Sequence, residues 1–260
     1  MSSPVLVDSH CHLDMLDLER LGMTLPEAIA FAKTEGVAKI LSIGVDLANA
    51  PKVIAIAEKF DHVYASAGIH PSEKLDEEPT IDEYRVYAKH PKVVAIGETG
   101  LDYYYNDSGL EQQRKRFRLQ IQLSRELKKP IIVHTRDAKE DTISIMREEQ
   151  ADEVGGVMHC FTEDYDMAKQ ALDLGFYISF SGIVTFKNAE NVRDVARKVP
   201  LDRMLIETDA PYLTPTPFRG KPNQPARVRQ VAEFLAELRG VEFDVLASIT
   251  TNNFHQLFGI

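Results

Sequence analysis

The chain has 260 residues, 44% apolar and 27% charged, which suits one globular core and leaves no apolar run near the ~20 residues that span a bilayer. Its formal net charge of −10 excludes a surface coated in base for non-specific nucleic-acid binding. It does not exclude a nuclease, because bound divalent cations supply positive charge where a phosphate must sit.

The first residues, Met1 to Val5, show neither a basic stretch nor a long apolar one, so no export signal is expected and the cytosol is the expected compartment. Residues 5–7 form the first β-rich run. Asp8-Ser9-His10 follows where a dinucleotide-binding fold would carry its glycine fingerprint. His10 and His12 are two residues apart, so on an extended chain they share a face, with Cys11 opposite. Thr24-Leu25-Pro26-Glu27 reads as a capping box opening a helix. Further β-rich runs fall at 40–43, 63–67, 93–96, 131–133, 156–158, 176–180 and 204–206. Residues 110–128 form an amphipathic helix, with Phe117, Ile121 and Leu127 on its buried face and Arg114, Lys115, Arg118 and Arg125 on its wet one. Helical patterns recur at 164–174, 188–199, about 225–238 and 243–258. Near-continuous apolar strands mark a parallel sheet. Eight strand–helix repeats in this length predict an α/β chain folded as a single (β/α)₈ TIM barrel over residues 1–260.

Ligand-type residues fall at the strand ends. His10 and His12 follow the first strand, His70 the third, Glu98 the fourth, His134 the fifth, His159 the sixth and Asp209 the eighth. In a barrel these ends converge on one face, where active sites lie. Each residue alone has a plainer explanation: a structural histidine, a carboxylate capping its own loop, a turn-forming aspartate. That all should gather on one face by accident is improbable. Four imidazoles and two carboxylates suffice for two divalent cations, with zinc, manganese and magnesium as candidates. Glu98 is placed to bridge them. Asp209, on the strand beside the first, joins His10 and His12, while His134 and His159 hold the second ion. Phosphate donors are expected in Arg136, two residues past His134, and in His70, Arg219 and Lys221. Arg136 has an alternative as a partner of Asp137 or Glu207. Tyr103, leading the run Tyr103-Tyr104-Tyr105, is a candidate for stacking on bases, worth roughly 1–3 kcal/mol per base, or for packing on the barrel. Alternation turns Cys11 and Cys160 away from the metals as free thiols. His62, His90 and His255 fall outside the site.

The segments Asp8-Ser9-His10-Cys11-His12-Leu13, Gly68-Ile69-His70-Pro71, Gly97-Glu98-Thr99-Gly100-Leu101-Asp102-Tyr103, Val133-His134-Thr135-Arg136-Asp137-Ala138, Met158-His159-Cys160-Phe161 and Glu207-Thr208-Asp209-Ala210-Pro211-Tyr212 resemble the TatD family of metal-dependent hydrolases, in order along the whole chain. The resemblance implies an amidohydrolase-like barrel that hydrolyses phosphodiesters, usually as a deoxyribonuclease. It implies two divalent cations, one on His10, His12, Glu98 and Asp209 and the other on Glu98, His134 and His159. Water made acidic by the metals attacks, with Asp209 as base. Many relatives carry an acidic residue where this chain has Gln224, a departure that bears on substrate choice. DNA or another phosphodiester is the expected partner, with no membrane, and a monomer is compatible with the sequence. The alternatives are an ester hydrolase acting on D-aminoacyl-tRNA, a small-molecule amidohydrolase, and a binding module without turnover.

Overall fold

The computed structural model describes residues 5–75, 77–105 and 109–260. Most of the N-terminal stretch read for an export signal lies outside them. Among the described residues the order is β1 (Leu6–Cys11), α1 (Leu18–Leu21), α2 (Leu25–Thr34), β2 (Val37–Ser42), α3 (Ala50–Lys59), β3 (Val63–Ala67), α4 (Ile81–Ala88), β4 (Val93–Asp102), α5 (Leu110–Leu127), β5 (Ile131–Arg136), α6 (Lys139–Glu148), β6 (Gly156–Met158), α7 (Tyr165–Asp173), β7 (Tyr177–Phe180), α8 (Glu190–Lys198), β8 (Met204–Ile206), α9 (Val228–Arg239) and α10 (Phe243–Phe258). Neighbouring strands pair in parallel, in sequence order from β1 to β8. Beyond β8 the chain reaches β1. Asp209 N donates to His10 O at 2.9 Å and His12 N to Ala210 O at 2.8 Å. The eight-stranded barrel is thereby nearly closed. Among the described residues no helix is long and apolar enough to cross a membrane.

Alternation along the strands builds two layers. Leu6, Ile131, Val133, Ile178, Met204 and Ile206 pack outward against helix residues such as Ala28, Val53, Phe117 and Val192. Val7, Leu41, Ile132, Val157, Tyr177 and Leu205 fill the barrel, joined by Phe254 and Phe258 of α10. The inward row then carries the chemistry. Beyond Leu205 it continues through Glu207 and Asp209; beyond Ile132, through His134 and Arg136.

Two strands depart from strict alternation. The register of β1 on β2 slips between Asp8 and Cys11, and that of β4 on β5 between Ile96 and Thr99. Such bulges re-aim side chains and are common beside active sites. On β1 the slip follows inward Val7 and Ser9, so His10 and His12 also face inward, while Cys11 joins the outer layer. The expected strands at 93–96 and 131–133 are longer than their apolar runs, extending to Asp102 and Arg136. Gly100 permits this: it pairs with His134 at a φ of 134°, and a side chain there would collide with the His134 carbonyl.

The capping box is present, with Glu27 Oε2 accepting from Thr24 N at 2.7 Å and Thr24 Oγ1 at 2.8 Å. The helix expected from Pro225 starts as a short 3₁₀ turn, Pro225–Arg227, before α9. On α5 the buried face is wider than its apolar residues suggest, because Gln113, Arg116 and Gln120 are buried as well.

Candidate metal centre

Glu98 stands at the middle of the mouth, only 3% exposed. Its two oxygens face different groups. Oε2 lies 3.3 Å from His10 Nε2 and 3.9 Å from His12 Nε2. Oε1 lies 2.7 Å from His159 Nε2, 3.2 Å from His134 Nδ1 and 3.4 Å from His70 Nε2. Asp209 Oδ1 completes the first side, 3.3 Å from His12 Nε2 and 3.6 Å from His10 Nε2. Three overlapping sets bring ligand atoms within 4.8 Å of one another: His10 with Glu98 and His159, His10 with His12 and Asp209, and His70 with Glu98 and His134.

Both ring nitrogens of His10 and Nδ1 of His12 are buried without a hydrogen-bond partner. Buried polar atoms are normally satisfied, so these imidazoles suit a ligand from outside the chain. Neutral imidazole with carboxylate is a donor set for a divalent cation. Burial holds His10 and His70 below the ordinary imidazole value, which keeps them neutral. Burial works against charge on Glu98, but His159, His70 and His10 outweigh it and hold the carboxyl well below the usual range. Burial likewise opposes charge on His159, yet Glu98 and Glu207 raise it well above the ordinary value. A cation between Glu98 and His159 would displace that proton.

Two carboxylates outside the expected set orient the ligands. Asp102 Oδ2 lies 3.0 Å from His134 Nε2, and Glu207 Oε1 lies 3.1 Å from His159 Nδ1. Each pairing leaves the other ring nitrogen aimed at Glu98. Carboxylate–histidine pairs of this kind fix ring orientation and raise ligand basicity. The signal for Glu207 was its place two residues before Asp209 on an inward row. Asp102 had none, because β4 was expected to end before it.

The expected substrate contacts divide. A cavity of about 800 Å³ opens above the ligands, with Tyr105, Arg136, Cys160 and Tyr212 in its wall. His70 belongs with Glu98 and His134 rather than at the rim, its Nδ1 held by Ser72 Oγ at 2.6 Å. Arg136 stacks 3.9 Å from the Tyr104 ring centre and 4.6 Å from that of Tyr105, and Glu207 is engaged by His159 instead. Tyr103 turns away, donating from its hydroxyl to Asp141 Oδ2 at 2.5 Å. Arg219 donates to Thr214 O at 3.1 Å and stacks 3.9 Å from the Phe186 ring centre. Lys221 Nζ lies 5.7 Å from the ring centre of Phe218. Tyr103, Arg219 and Lys221 do not line the cavity. Cys160 does, contrary to the alternation argument, because its φ of 44° is left-handed and breaks the strand pattern. Its thiol lies 3.2 Å from Ser181 Oγ, and burial pushes it, like that of Cys11, well above the ordinary thiol value.

Comparison with known proteins agrees with this architecture. The family described as TatD related DNase matches residues 7–259. The uncharacterized metal-dependent hydrolase YcfH of Escherichia coli (strain K12) is 52% identical, covering 98% of this chain and 96% of its own length. The 3'-5' ssDNA/RNA exonuclease TatD of Klebsiella pneumoniae (strain 342) is 33% identical, over 90% of this chain and 91% of its own. The crystal structure of YJJV, a TatD homologue from Escherichia coli K12, superposes with a TM-score of 0.89 at 30% identity, covering 98% of both chains. With the match running through every strand that bears a ligand-type residue, the chain belongs to the TatD family of metal-dependent hydrolases.

Proposed function

We propose that this protein is a two-metal phosphodiesterase acting on DNA. The observation that carries the proposal is the division of labour at Glu98, whose two oxygens face separate sets of imidazoles. His10, His12, Asp209 and Oε2 would hold one cation; His134, His159 and Oε1 the other, with His70 beside them. When bound, such cations make water acidic near neutral pH and draw charge from a phosphoryl oxygen.

The chain's own groups do the rest. Asp209, its side chain 13% exposed, lines the cavity and would orient the attacking water and take its proton. The water oxygen would bond to phosphorus as one P–O ester bond breaks, and the proton taken by Asp209 would pass to the departing alkoxide, leaving a phosphate monoester and an alcohol. Arg136, positive at the rim, pairs with a phosphate. Tyr105 and Tyr212, 67% and 54% exposed, offer ring faces to unstacked bases. The name of the Klebsiella relative, an exonuclease on single-stranded DNA and RNA, supports the same substrate class.

The test is elemental analysis of the purified protein beside hydrolysis assays on DNA, with manganese, zinc and magnesium in turn. Two metal equivalents per chain and metal-dependent DNA cleavage are expected. Hydrolysis of D-aminoacyl-tRNA with none of DNA would overturn the substrate.

A further inference from the structure

Helix α5 buries four polar side chains, Gln113, Arg116, Gln120 and Ser124; Ser124 bonds the nearby Lys129 carbonyl, and the other three reach the barrel mouth. Gln113, Arg116 and Gln120 are three and four residues apart, so they line up along successive turns. Each reaches a residue that flanks or orients a ligand. Gln113 Oε1 accepts from Asp102 N at 2.8 Å, and its Nε2 donates to Asp102 O at 3.0 Å. Arg116 Nη1 donates to His70 O at 3.2 Å and Glu73 O at 3.1 Å. Its other nitrogens fork onto Glu78 at 3.0 and 2.5 Å. Gln120 Oε1 accepts from Ile69 N at 2.9 Å, and its Nε2 donates to Ile69 O at 3.1 Å and Thr99 Oγ1 at 2.5 Å.

The targets lie on one side of the centre. Asp102 orients His134; Ile69 precedes His70; Thr99 follows Glu98. The other side is held elsewhere, at the β8–β1 seam, where the Asp8 carboxylate accepts from Thr208 N at 2.9 Å and Thr208 Oγ1 at 2.6 Å. A helix packing on a barrel needs only apolar residues on its buried face. Polar ones there cost free energy unless every bond is made. What directional bonds add is position, because an amide paired to a backbone N–H and C=O fixes the height of that strand end.

We propose that α5 is a positioning element for one half of the metal centre, with Gln113, Arg116 and Gln120 setting His70, His134 and Glu98 Oε1 in place. This rests on the two-metal assignment above. The experiment is calorimetric titration of Mn²⁺ alone into wild type, Gln113→Ala, Gln120→Ala and Arg116→Lys. Arg116→Lys keeps the charge and loses the fork, and serves if the alanine variants do not fold. Wild type should take up two equivalents. Each variant should bind one of them about 10–100-fold more weakly and the other within about twofold of wild type. Loss of both equivalents together, as general damage would give, overturns the positioning role; so does unchanged binding of both. Fewer than two equivalents in wild type overturns the two-metal assignment itself, and the role with it.

Discussion

Asp209 meets three demands at once. Its φ of 52° is left-handed, a conformation that Asp adopts more readily than most residues. Its N–H closes the barrel on His10 O. Its carboxylate faces His10 and His12, which, against the effect of burial, hold it below the usual carboxylate range. Asp209→Asn keeps the shape while removing the base and most of the ligand charge. Because His10, His12 and Glu98 remain, metal binding should weaken without vanishing. At saturating metal, kcat on a phosphodiester should fall on the order of 10²–10⁴-fold; a kcat within about twofold of wild type would make Asp209 a turn residue only. The ligand-type residues were legible because short side chains at strand ends have few places to go. Arg219 and Tyr103 were not, because long side chains take partners from distant segments, and Lys221 lies beside nearby Phe218 instead. The Phe186 ring for Arg219 and Asp141 for Tyr103 are products of the fold, invisible in local spacing.

At the scale of elements, the apolar runs located all eight strands but not where β1, β4 and β5 end. The apolar run of β4 stops at Ile96, yet the strand continues past its bulge to Asp102, where Gly100 pairs with His134. The polar face of α5 escaped notice for a related reason. Glutamine and arginine at helical spacing look like solvent-facing residues until a strand end arrives beneath them. Neighbouring strand ends also pack closely at Gly68, where a Cβ would lie 2.5 Å from Gly97 Cα and 2.8 Å from Gln120 Oε1. Gly68→Ala must push β3 away from β4 beside Glu98. It should cost roughly 1–3 kcal/mol of stability, as overpacking does, measured by denaturant unfolding, and lower metal uptake as well. Wild-type stability and metal content would show that the strand ends can part freely.

For the molecule as a whole, the seam between β8 and β1 is the decisive junction. Asp8 and Thr208, whose side chains join it, are 200 positions apart in sequence, and the segments that close the barrel also bring Asp209 to His10 and His12. A cation held by those residues would tie the two edges together. Divalent metal at about 100 times its dissociation constant should therefore stabilise the fold by about 2.7 kcal/mol, and a chelator should lower Tm by several degrees; calorimetry with and without chelator reads this directly. An unchanged Tm would mean that the closing seam gains nothing from the ion. The same separation governs timing during synthesis. A ribosome delivers His10 and His12 with β1 and Asp209 only after β8 has emerged, so a copy lacking β8 cannot assemble the centre. The ligand-type set is therefore completed only when β8 joins β1, the last strand to take its place in the barrel.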